Sequence, residues 1–303
     1  MDQGQKKELT RMAGSGVSFD CPMAGHTSFR VGGKAEAFYE AQNMESLRQV
    51  VAFLNRECVP YLTVGRGSNL LVKDEGLEGV VIHLCGELEV IEMENIDSLT
   101  IRAGGGLALF DLLAHCRDSG LGGMEFLAGI PGTVGGAIAM NAGAFGGEIG
   151  ERVRRVQLVT RTGDLTVKDA SQLRFRYRGL ELEKGTVIAG AFFALDQADE
   201  STSKAKMADY LKRRKKSQPL EYPSAGSVFK NPPGHYAAKL IEQAGLKGAR
   251  TGGAMISPKH ANYILNMGGA TARDVLDLIN LATSRVKERT GIEMQLELKV
   301  VGR

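Results

Sequence analysis

The 303-residue sequence lacks the glycine signatures of the two commonest nucleotide-binding motifs. Its nearest matches to Gly-x-Gly-x-x-Gly carry leucine in place of the third glycine: Gly65 and Gly67 before Leu70, and Gly104 and Gly106 before Leu109. A Rossmann-type dinucleotide site is therefore not expected. No Gly-x-x-x-x-Gly-Lys-Ser/Thr occurs either, which disfavours a P-loop. If this protein binds a nucleotide cofactor, it holds the cofactor in another way.

Other absences narrow the class of protein and its compartment. Cys21, Cys58, Cys85 and Cys116 are widely spaced and form no Cys-x-x-Cys pair, so we interpret them as thiols of a reducing compartment, not as metal ligands or disulfides. The chain has no apolar run long enough to cross a membrane and no apolar segment of a secretory signal. Its formal net charge of +3 is too small to indicate nucleic-acid binding. We expect a cytoplasmic protein without a metal, nucleic-acid or membrane partner.

Two glycine-rich stretches are the most distinctive feature that is present, one at 64–72 and the other at 127–147. Because glycine has no Cβ, the backbone at such turns can adopt positive φ angles and come close to a ligand. Successive N–H groups in these turns form concave sites for anions. Two stretches of this kind can hold a long diphosphate cofactor at two points. The simpler alternative is that both are ordinary glycine turns.

Periodicity predicts helices alternating with short strands through most of the chain. Asn43 is placed to cap a helix over 44–57, whose apolar residues fall on one face. Near the other end, strict alternation predicts a strand over 292–300, with Leu296 on the apolar face and Glu297 on the polar face. The sequence is therefore typical of an α+β protein.

Three short segments carry candidate catalytic groups. Three arginines alternate with aromatic residues over 174–178, so they can bind a carboxylate or phosphate, or can protect an exposed strand edge. Ser227 lies in a tight turn of small residues, where its hydroxyl can donate a proton or only satisfy the turn. Glu297 is either a polar group facing a ligand or a solvated surface glutamate.

A basic run at 212–216 ends a charge-rich helix predicted over 204–216. Cations at a helix C-terminus interact favourably with the helix dipole, so a solvated helix end explains the run. A site for a phosphate-bearing ligand is the alternative.

The order and spacing of several segments resemble the UDP-N-acetylenolpyruvoylglucosamine reductases, flavoenzymes that complete UDP-N-acetylmuramate for peptidoglycan synthesis. The likeness spans about residues 20–302 and is carried by segments 27–33, 64–69, 130–136, 141–144, 177–178, 225–232 and 244–248, and by Glu297 ahead of Val301-Gly302. Each segment alone is a weak indication of this family, but the order and spacing of all the segments together are highly specific for it. The three candidate catalytic segments all fall on catalytic positions of this family.

The resemblance implies an α+β fold with two domains. An FAD-binding domain of the vanillyl-alcohol-oxidase (PCMH) type is expected at 21–195, with two subdomains divided near residue 80. A leader at 1–20 precedes it, a basic helix and linker follow at 196–224, and a C-terminal α+β substrate-binding domain completes the chain at 225–303. The chain resembles the shorter form of the family, which lacks a tyrosine-bearing loop over the substrate.

The resemblance also implies noncovalent FAD, bound mostly by backbone groups of the two glycine-rich stretches. The expected contacts are Gly65, Arg66, Gly67, Ser68, Asn69, Leu70, Gly129, Ile130, Pro131, Gly132, Thr133, Gly135, Gly136, Asn141, Ala142 and Gly143.

The implied reaction reduces the enolpyruvyl group of UDP-N-acetylglucosamine enolpyruvate in two half-reactions. Hydride passes from NADPH to N5 of FAD, and then to C3 of the sugar substrate. Arg178 is expected to stabilise the negative charge that develops toward the carboxylate, and Ser227 to donate a proton to C2. Glu297, if protonated, is expected to hydrogen-bond that carboxylate.

The expected substrate contacts are Tyr177, Lys216, Asn231 and Gln243, with Lys215 and Lys247 as further candidates, and a monomer is expected. Two alternatives stay open at this stage. One is another flavin oxidoreductase of the same fold, which oxidises an alcohol or hydroxy acid. The other is a noncatalytic protein that binds a UDP-sugar or a nucleic acid through the basic run.

Overall fold

The computed structural model describes residues 1–95 and 99–303. Its α-helices within those ranges are α1 (Gln3–Ala13), α2 (Met44–Arg56), α3 (Leu109–Asp118), α4 (Val134–Ala139), α5 (Glu200–Ser217), α6 (Ala237–Gln243) and α7 (Ala272–Thr290). Its strands are β1 (Val17–Pro22), β2 (Lys34–Ala41), β3 (Tyr61–Thr63), β4 (Leu70–Val72), β5 (Leu77–Leu84), β6 (Ile91–Asn95), β7 (Thr100–Gly104), β8 (Leu121–Gly122), β9 (Gly143–Ala144), β10 (Gly147–Glu148), β11 (Val153–Val159), β12 (Leu165–Asp169), β13 (Arg174–Arg176), β14 (Gly179–Glu181), β15 (Val187–Ala194), β16 (Asp196–Gln197), β17 (Arg250–Thr251), β18 (Ala254–Ile256), β19 (Ile264–Asn266) and β20 (Lys299–Val301). Within the part of the chain that the structure describes, no helix is long and apolar enough to cross a membrane.

The chain divides into two compact units that interleave along the sequence. The first comprises Met1–Phe19, Ala37–Gly65 and Gly79–Arg213, and the second comprises Asp20–Glu36, Arg66–Glu78 and Arg214–Arg303. This division differs from the expected boundaries, which place the whole of 21–195 in one domain.

Two sets of hydrogen bonds explain why residues 66–78 belong to the second unit. Strand β4 pairs in parallel with β20, at the other end of the chain. Just after β4, the Asp74 carboxylate accepts hydrogen bonds from the N–H groups of Ala272 and Arg273, at 2.8 and 2.9 Å. These are the first residues of α7, where backbone N–H groups have no partner inside the helix. Asp74 therefore helps to cap α7 from a distant part of the sequence.

The N-terminal residues, expected to form a leader at 1–20, are part of the first unit's structure. Asp2 and Gln5 form a capping box at the start of α1, and Leu9 is fully buried. Leu9 packs in the same hydrophobic cluster as the apolar face of α2. Asn43 caps α2 as expected, because its Oδ1 accepts the N–H of Ser46 at 2.9 Å.

Two main sheets form the framework of the first unit. One has the strand order β1-β2-β5-β3, with β3 parallel to β5. The other is antiparallel, with the order β12-β11-β15-β7-β6. Its central strand, β15, is buried along nearly its whole length. Helices α3 and α4 share a hydrophobic cluster with this second sheet.

The second unit is an α+β structure around its own core. The antiparallel sheet β17-β18-β19, the pair β4-β20, and helices α6 and α7 contribute to one cluster of buried apolar residues. Thr271 and Asp274 form a capping box at the start of α7, and Gly291 ends the helix in the left-handed conformation with φ 71°. The core includes Val228 and Phe229, which directly follow Ser227.

The prediction of a strand over 292–300 is wrong for most of that range. Only Lys299–Val301 forms a strand, and Leu296, predicted to be buried, is 39% exposed. Before β20 the segment makes one isolated bridge, between Phe229 and Leu296. The N–H groups of Glu297 and Leu298 both donate to the carbonyl of Val228. Regular alternation needs a continuous ladder, and two donors on one carbonyl interrupt it.

Candidate active site

The first glycine-rich stretch is closely packed where it enters the second unit. Gly67 has φ +58°, and a Cβ at this position would lie 2.2 Å from the carbonyl oxygen of His26. The carbonyl of Gly67 accepts the N–H of Ser28 at 3.2 Å. Residues 26–28 thus hold this turn, and Gly67 is required there on both conformational and steric grounds.

The second glycine-rich stretch belongs to the first unit. Within that unit it contacts the beginning of the first glycine-rich stretch. Thr133 caps α4, with its Oγ1 accepting the N–H of Gly136 at 3.4 Å. A Cβ on Gly65 would lie 2.4 Å from that same oxygen. The sequence separates Gly65 and Thr133 widely, but the fold places them in contact.

Much of the second stretch presents backbone at the surface. Gly129, Pro131 and Gly136 are exposed, although Thr133 and Val134 between them are buried. Apart from its own helix backbone, the nearest atom of the described residues to a Cβ added at Gly136 would be Thr133 Oγ1, at 3.5 Å. The fold leaves open the space that a side chain at Gly136 would fill. An exposed, glycine-lined backbone turn is suited to the close approach of a diphosphate group.

Asn141, expected to contact the cofactor, uses its side chain within the first unit. Its Nδ2 donates to the Glu148 carboxylate at 2.6 Å and to the carbonyl of Arg176 at 3.1 Å, and its Oδ1 accepts the N–H of Gly150 at 3.1 Å. The residue is 2% exposed. Its side chain therefore ties the second glycine-rich stretch to the hairpin of β13 and β14.

That hairpin carries Arg178 at its tip. Arg176 pairs with Gly179, which leaves Tyr177 and Arg178 as a two-residue turn. Arg178 has φ +59°, a left-handed conformation that residues other than glycine seldom adopt. Its guanidinium lies over the Tyr177 ring, 5.0 Å from the ring centroid.

The other two arginines of the 174–178 segment have a different environment. Arg174 and Arg176 both pair with Glu181 on the neighbouring strand. Both are exposed, which fits the expected protection of a strand edge by charge. Arg178, by contrast, is half-buried at the turn.

Ser227 and Glu297 lie in the second unit on segments whose backbones are hydrogen-bonded. The N–H of Glu297 donates to the carbonyl of Val228, the neighbour of Ser227, at 2.9 Å. Both candidate side chains are half-buried. Asn69, in the first glycine-rich stretch, donates from Nδ2 to the carbonyl of Glu297 at 2.9 Å. The structure thus brings together three of the expected site residues in this unit.

Asn262 fixes the segment that carries Ser227. The N–H of Phe229 donates to Oδ1 of Asn262 at 2.9 Å, and Nδ2 of Asn262 donates back to the carbonyl of Phe229 at 2.8 Å. The carbonyl of Asn262 also accepts the N–H of Val228 at 2.9 Å. These paired hydrogen bonds resemble those between two β-strands, and they hold the turn that contains Ser227 in place.

Tyr263 and Arg214 face these groups, and sequence reasoning missed both. The side chain of Tyr263 hydrogen-bonds that of Ser227 and interacts electrostatically with Arg214 and Glu297. Burial of the phenol raises the pKa of Tyr263, and the Glu297 carboxylate acts in the same direction. The Arg214 guanidinium and the hydrogen bond with Ser227 lower that pKa, but the upward shift prevails. The phenol is therefore protonated at neutral pH and available as a donor.

A signal for Arg214 existed in the sequence, but none existed for Tyr263. Arg214 lies inside the basic run at 212–216, and the helical repeat turns it inward while Lys215 and Lys216 are exposed. Tyr263 belongs to no motif that the sequence analysis recognised, because its role depends on a contact with a distant turn.

The expected substrate contacts on the second unit lie at its surface. Lys216, Asn231 and Gln243 are exposed. Asn231 also accepts the N–H of Ala237 through Oδ1 at 3.0 Å, at the start of α6. Lys247 pairs with Glu242 at 2.6 Å.

Comparison with known proteins identifies the fold and the family of this chain. A sequence model for an FAD binding domain matches residues 35–169. A solved alkyldihydroxyacetonephosphate synthase shares the fold, with a TM-score of 0.50 and 14% identity over 65% of this chain and 41% of that chain. The matched domain and the fold define an FAD-binding protein of the vanillyl-alcohol-oxidase (PCMH) type.

The particular family follows from closer matches. A model described as the C-terminal domain of UDP-N-acetylenolpyruvoylglucosamine reductase matches residues 218–301. The UDP-N-acetylenolpyruvoylglucosamine reductase of Geobacter metallireducens is 46% identical, with 93% of each chain covered. The solved enzyme of Thermus caldophilus is 36% identical, with a TM-score of 0.81 and coverage of 94% of this chain and 98% of that one. This chain belongs to the UDP-N-acetylenolpyruvoylglucosamine reductase family, which confirms the resemblance, the fold class, the enzyme class and FAD as cofactor.

Proposed function

We propose that this reductase uses NADPH and FAD to reduce the enolpyruvyl group of UDP-N-acetylglucosamine enolpyruvate, giving UDP-N-acetylmuramate. When bound, FAD supplies the hydride chemistry that connects NADPH to C3 of the sugar substrate. The chain's own residues place the substrate, stabilise charge and deliver one proton to C2. The observation that carries this proposal is the fixed pair of Ser227 and Glu297 on two hydrogen-bonded segments.

The FAD contacts proposed are backbone groups of 65–70 and 129–136, and of 141–143. The exposed backbone at Gly129 and Gly136 supports this assignment. Binding is proposed to be noncovalent. Asn141 contributes by holding the Arg178 hairpin, since its side-chain amide is already hydrogen-bonded within the protein.

Arg178, Ser227 and Glu297 have complementary proposed roles. Addition of hydride at C3 places negative charge at C2, which spreads into the adjacent carboxylate. The guanidinium of Arg178 is permanently charged and suits the carboxylate oxygens. Ser227 donates its hydroxyl proton to C2, and Glu297 hydrogen-bonds the carboxylate in its protonated form.

The contacts with the UDP-sugar substrate are also proposed. Tyr177 beside Arg178 and the exposed Lys216, Asn231 and Gln243 are proposed to bind the UDP-sugar. Family membership favours this reaction over oxidation of an alcohol or hydroxy acid. The cytoplasmic location and the monomeric state expected from the sequence stay predictions.

The Ser227→Ala variant tests the proposal when the two half-reactions are followed separately. NADPH is expected to bleach the flavin absorbance of this variant at the normal rate. Reoxidation by the enolpyruvyl sugar is expected to slow by about 10²- to 10⁴-fold, the usual contribution of a positioned general acid.

Ser224→Ala provides a matched control, because Ser224 is a half-buried serine of the same segment. This control is expected to keep both rates. An equal loss of both half-reactions in Ser227→Ala would reject the assignment of Ser227 as proton donor. Failure of the sugar to reoxidise the flavin of the unmodified protein would reject the substrate itself.

A further inference from the structure

Asn69 joins the first glycine-rich stretch to the segment that carries Glu297. Its backbone carbonyl accepts the N–H of Lys299 at 3.1 Å, and its side-chain Nδ2 donates to the carbonyl of Glu297 at 2.9 Å. Both partners lie in the second unit, as Asn69 does. One asparagine therefore holds this segment on both sides of Leu298, which is 3% exposed.

The side chain of Asn69 makes a contact that belongs to backbone in a regular parallel sheet. Directly after Asn69, β4 runs parallel to β20, with Leu70 opposite Lys299. In a parallel pair, a residue whose carbonyl accepts from the other strand donates its N–H to the residue two positions earlier on that strand. Because Asn69 accepts from Lys299, that earlier residue is Glu297. The side-chain amide of Asn69 bonds the Glu297 carbonyl, and so extends the pairing of β4 and β20 toward it.

Glu297 is fixed on its other side by the segment that carries Ser227. Its N–H donates to the carbonyl of Val228 at 2.9 Å, and the N–H of Leu298 donates to the same carbonyl at 3.1 Å. The peptide groups before and after the Cα of Glu297 are thus both hydrogen-bonded, one to Val228 and one to Asn69. Since the backbone sets the direction of the Cα–Cβ bond and the rotamers allowed, these bonds limit where the carboxyl group can reach.

We infer that Asn69 is a positioning residue for Glu297, whose backbone it fixes so that the carboxyl group reaches the substrate in a defined place. The inference rests on the proposed hydrogen bond from Glu297 to the substrate carboxylate. It requires no contact between the Asn69 side chain and the reacting atoms. Catalytic groups must be held close to the productive geometry, and a displacement of about 1 Å can slow a reaction by about 10²-fold.

The FAD contact proposed at Asn69 is its backbone, so truncation of the side chain separates the two roles. Other groups hold the turn in the truncated protein. The carbonyl of Gly67 accepts the N–H of Ser28 at 3.2 Å, and the carbonyl of Asn69 keeps its bond with Lys299. Asn69→Ala is therefore expected to retain its flavin, whereas Glu297 loses one of its two backbone anchors.

Asn69→Ala tests the inference with Asn43→Ala as a matched control. Asn43 is half-buried like Asn69, and its side chain also makes a hydrogen bond of 2.9 Å to a backbone group, the N–H of Ser46. We expect NADPH to reduce Asn69→Ala at the normal rate, and the enolpyruvyl sugar to reoxidise it about 10- to 100-fold more slowly. Asn43→Ala is expected to keep both rates.

The double variant Asn69→Ala/Glu297→Ala separates positioning of the carboxyl group from a general structural effect. If Asn69 acts through Glu297, the double variant is reoxidised no more slowly than Glu297→Ala alone. A further loss as large as that of Asn69→Ala alone would overturn the inference. So would normal reoxidation in Asn69→Ala while Glu297→Ala is slow, a result that leaves the proposed function intact. Normal reoxidation in Glu297→Ala would remove the proposed role of Glu297, and the inference with it.

A measurement on the unmodified enzyme covers the case in which Asn69→Ala does not fold. Hydrogen exchange of the Asn69 side-chain amide and of the Lys299 backbone amide is followed by NMR. Both donate to carbonyl groups of this arrangement, so both are expected to exchange much more slowly than in an unfolded chain. Unprotected exchange of the Asn69 side-chain amide would overturn the inference, because a bond that opens freely does not fix Glu297.

Discussion

Arg178 occupies a backbone conformation that glycine would adopt at lower energetic cost. Its φ of +59° is left-handed, which costs a residue with a Cβ on the order of 1–2 kcal/mol. The hairpin register and the hydrogen bond from Asn141 to Arg176 hold the turn in this form. Strained residues of this kind concentrate at functional sites. The strain supports the view that the guanidinium is kept at this turn for its chemistry.

Arg178→Gly separates the side chain from the strain. Glycine relieves the left-handed conformation but has more backbone entropy to lose, about 0.5–1 kcal/mol, so we expect the free energy of unfolding to stay equal or to rise by up to about 1.5 kcal/mol. Reoxidation of the reduced flavin by the enolpyruvyl sugar is expected to slow by about 10²-fold or more. Thermal unfolding and stopped-flow absorbance measure the two effects.

Asp20→Gly is the control for this experiment. Asp20 is exposed and also left-handed, with φ +52°, so the change relieves similar strain at a residue with no proposed catalytic role. It is expected to keep the normal reoxidation rate. A clearly destabilised Arg178→Gly protein, or one with normal reoxidation, would contradict the argument.

At the scale of elements, α4 is the helix that contains the proposed FAD contacts Gly135 and Gly136. It is short, it begins at the Thr133 cap, and its first turn contains Gly135 and Gly136. Glycine is a poor helix former, so its presence in the first turn needs another reason. The proposed approach of FAD to the exposed backbone of Gly136 supplies that reason, because the nearest atom of the described residues that an added Cβ would meet outside its own helix backbone is Thr133 Oγ1, at 3.5 Å.

Gly136→Val is therefore expected to weaken FAD binding without unfolding the protein. Overpacking against a ligand costs about 1–3 kcal/mol, which corresponds to about a 10- to 100-fold loss of affinity. Flavin absorbance of the purified variant and titration of the apoprotein measure the effect. Gly25→Val is the matched control, because Gly25 is exposed and its added Cβ would have no atom within 4 Å. Equal flavin content in both variants would count against the assignment.

Elements with local signals were predictable from the sequence. The helix predicted after Asn43 is confirmed, because its cap and apolar face are encoded by residues a few positions apart. The helix between Thr271 and Gly291 has local caps of the same kind. The last strand was not predictable. Its alternation is present, but hydrogen bonds to the distant carbonyl of Val228 decide its conformation.

At the scale of the whole molecule, the division into units depends on contacts that no local pattern records. Strand β4 pairs with a strand more than two hundred residues later. Prediction from local sequence instead assigns β4 to the domain that surrounds it in the sequence. The same limit applies to the site. Ser227 and Glu297 were identified through the family resemblance, whereas Tyr263 required the folded arrangement that brings its phenol to Ser227.

Stability as a function of pH tests the burial of His260 against Tyr263. Burial lowers the pKa of His260 from its ordinary value of 6.5, and Nδ1 of this residue has no hydrogen-bond partner among the residues that the structure describes. Below pH 6.5 the unfolded chain therefore binds a proton that the folded protein does not, so the free energy of unfolding falls as the pH falls from about 7 to 5.

His260→Phe is expected to make stability less dependent on pH in this window, because phenylalanine keeps an edge contact with Tyr263 but does not titrate. The difference in slope is at most about 1.4 kcal/mol per pH unit, the value for one proton. Urea unfolding at several pH values measures it. The N–H of Thr271 hydrogen-bonds Asp274 and lowers the pKa of that carboxyl, so its contribution is lost only as the pH falls below about 5 and persists in the variant. A slope between pH 7 and 5 that is the same in the variant and the unmodified protein would show that His260 takes up a proton equally in both states, contrary to its burial against Tyr263.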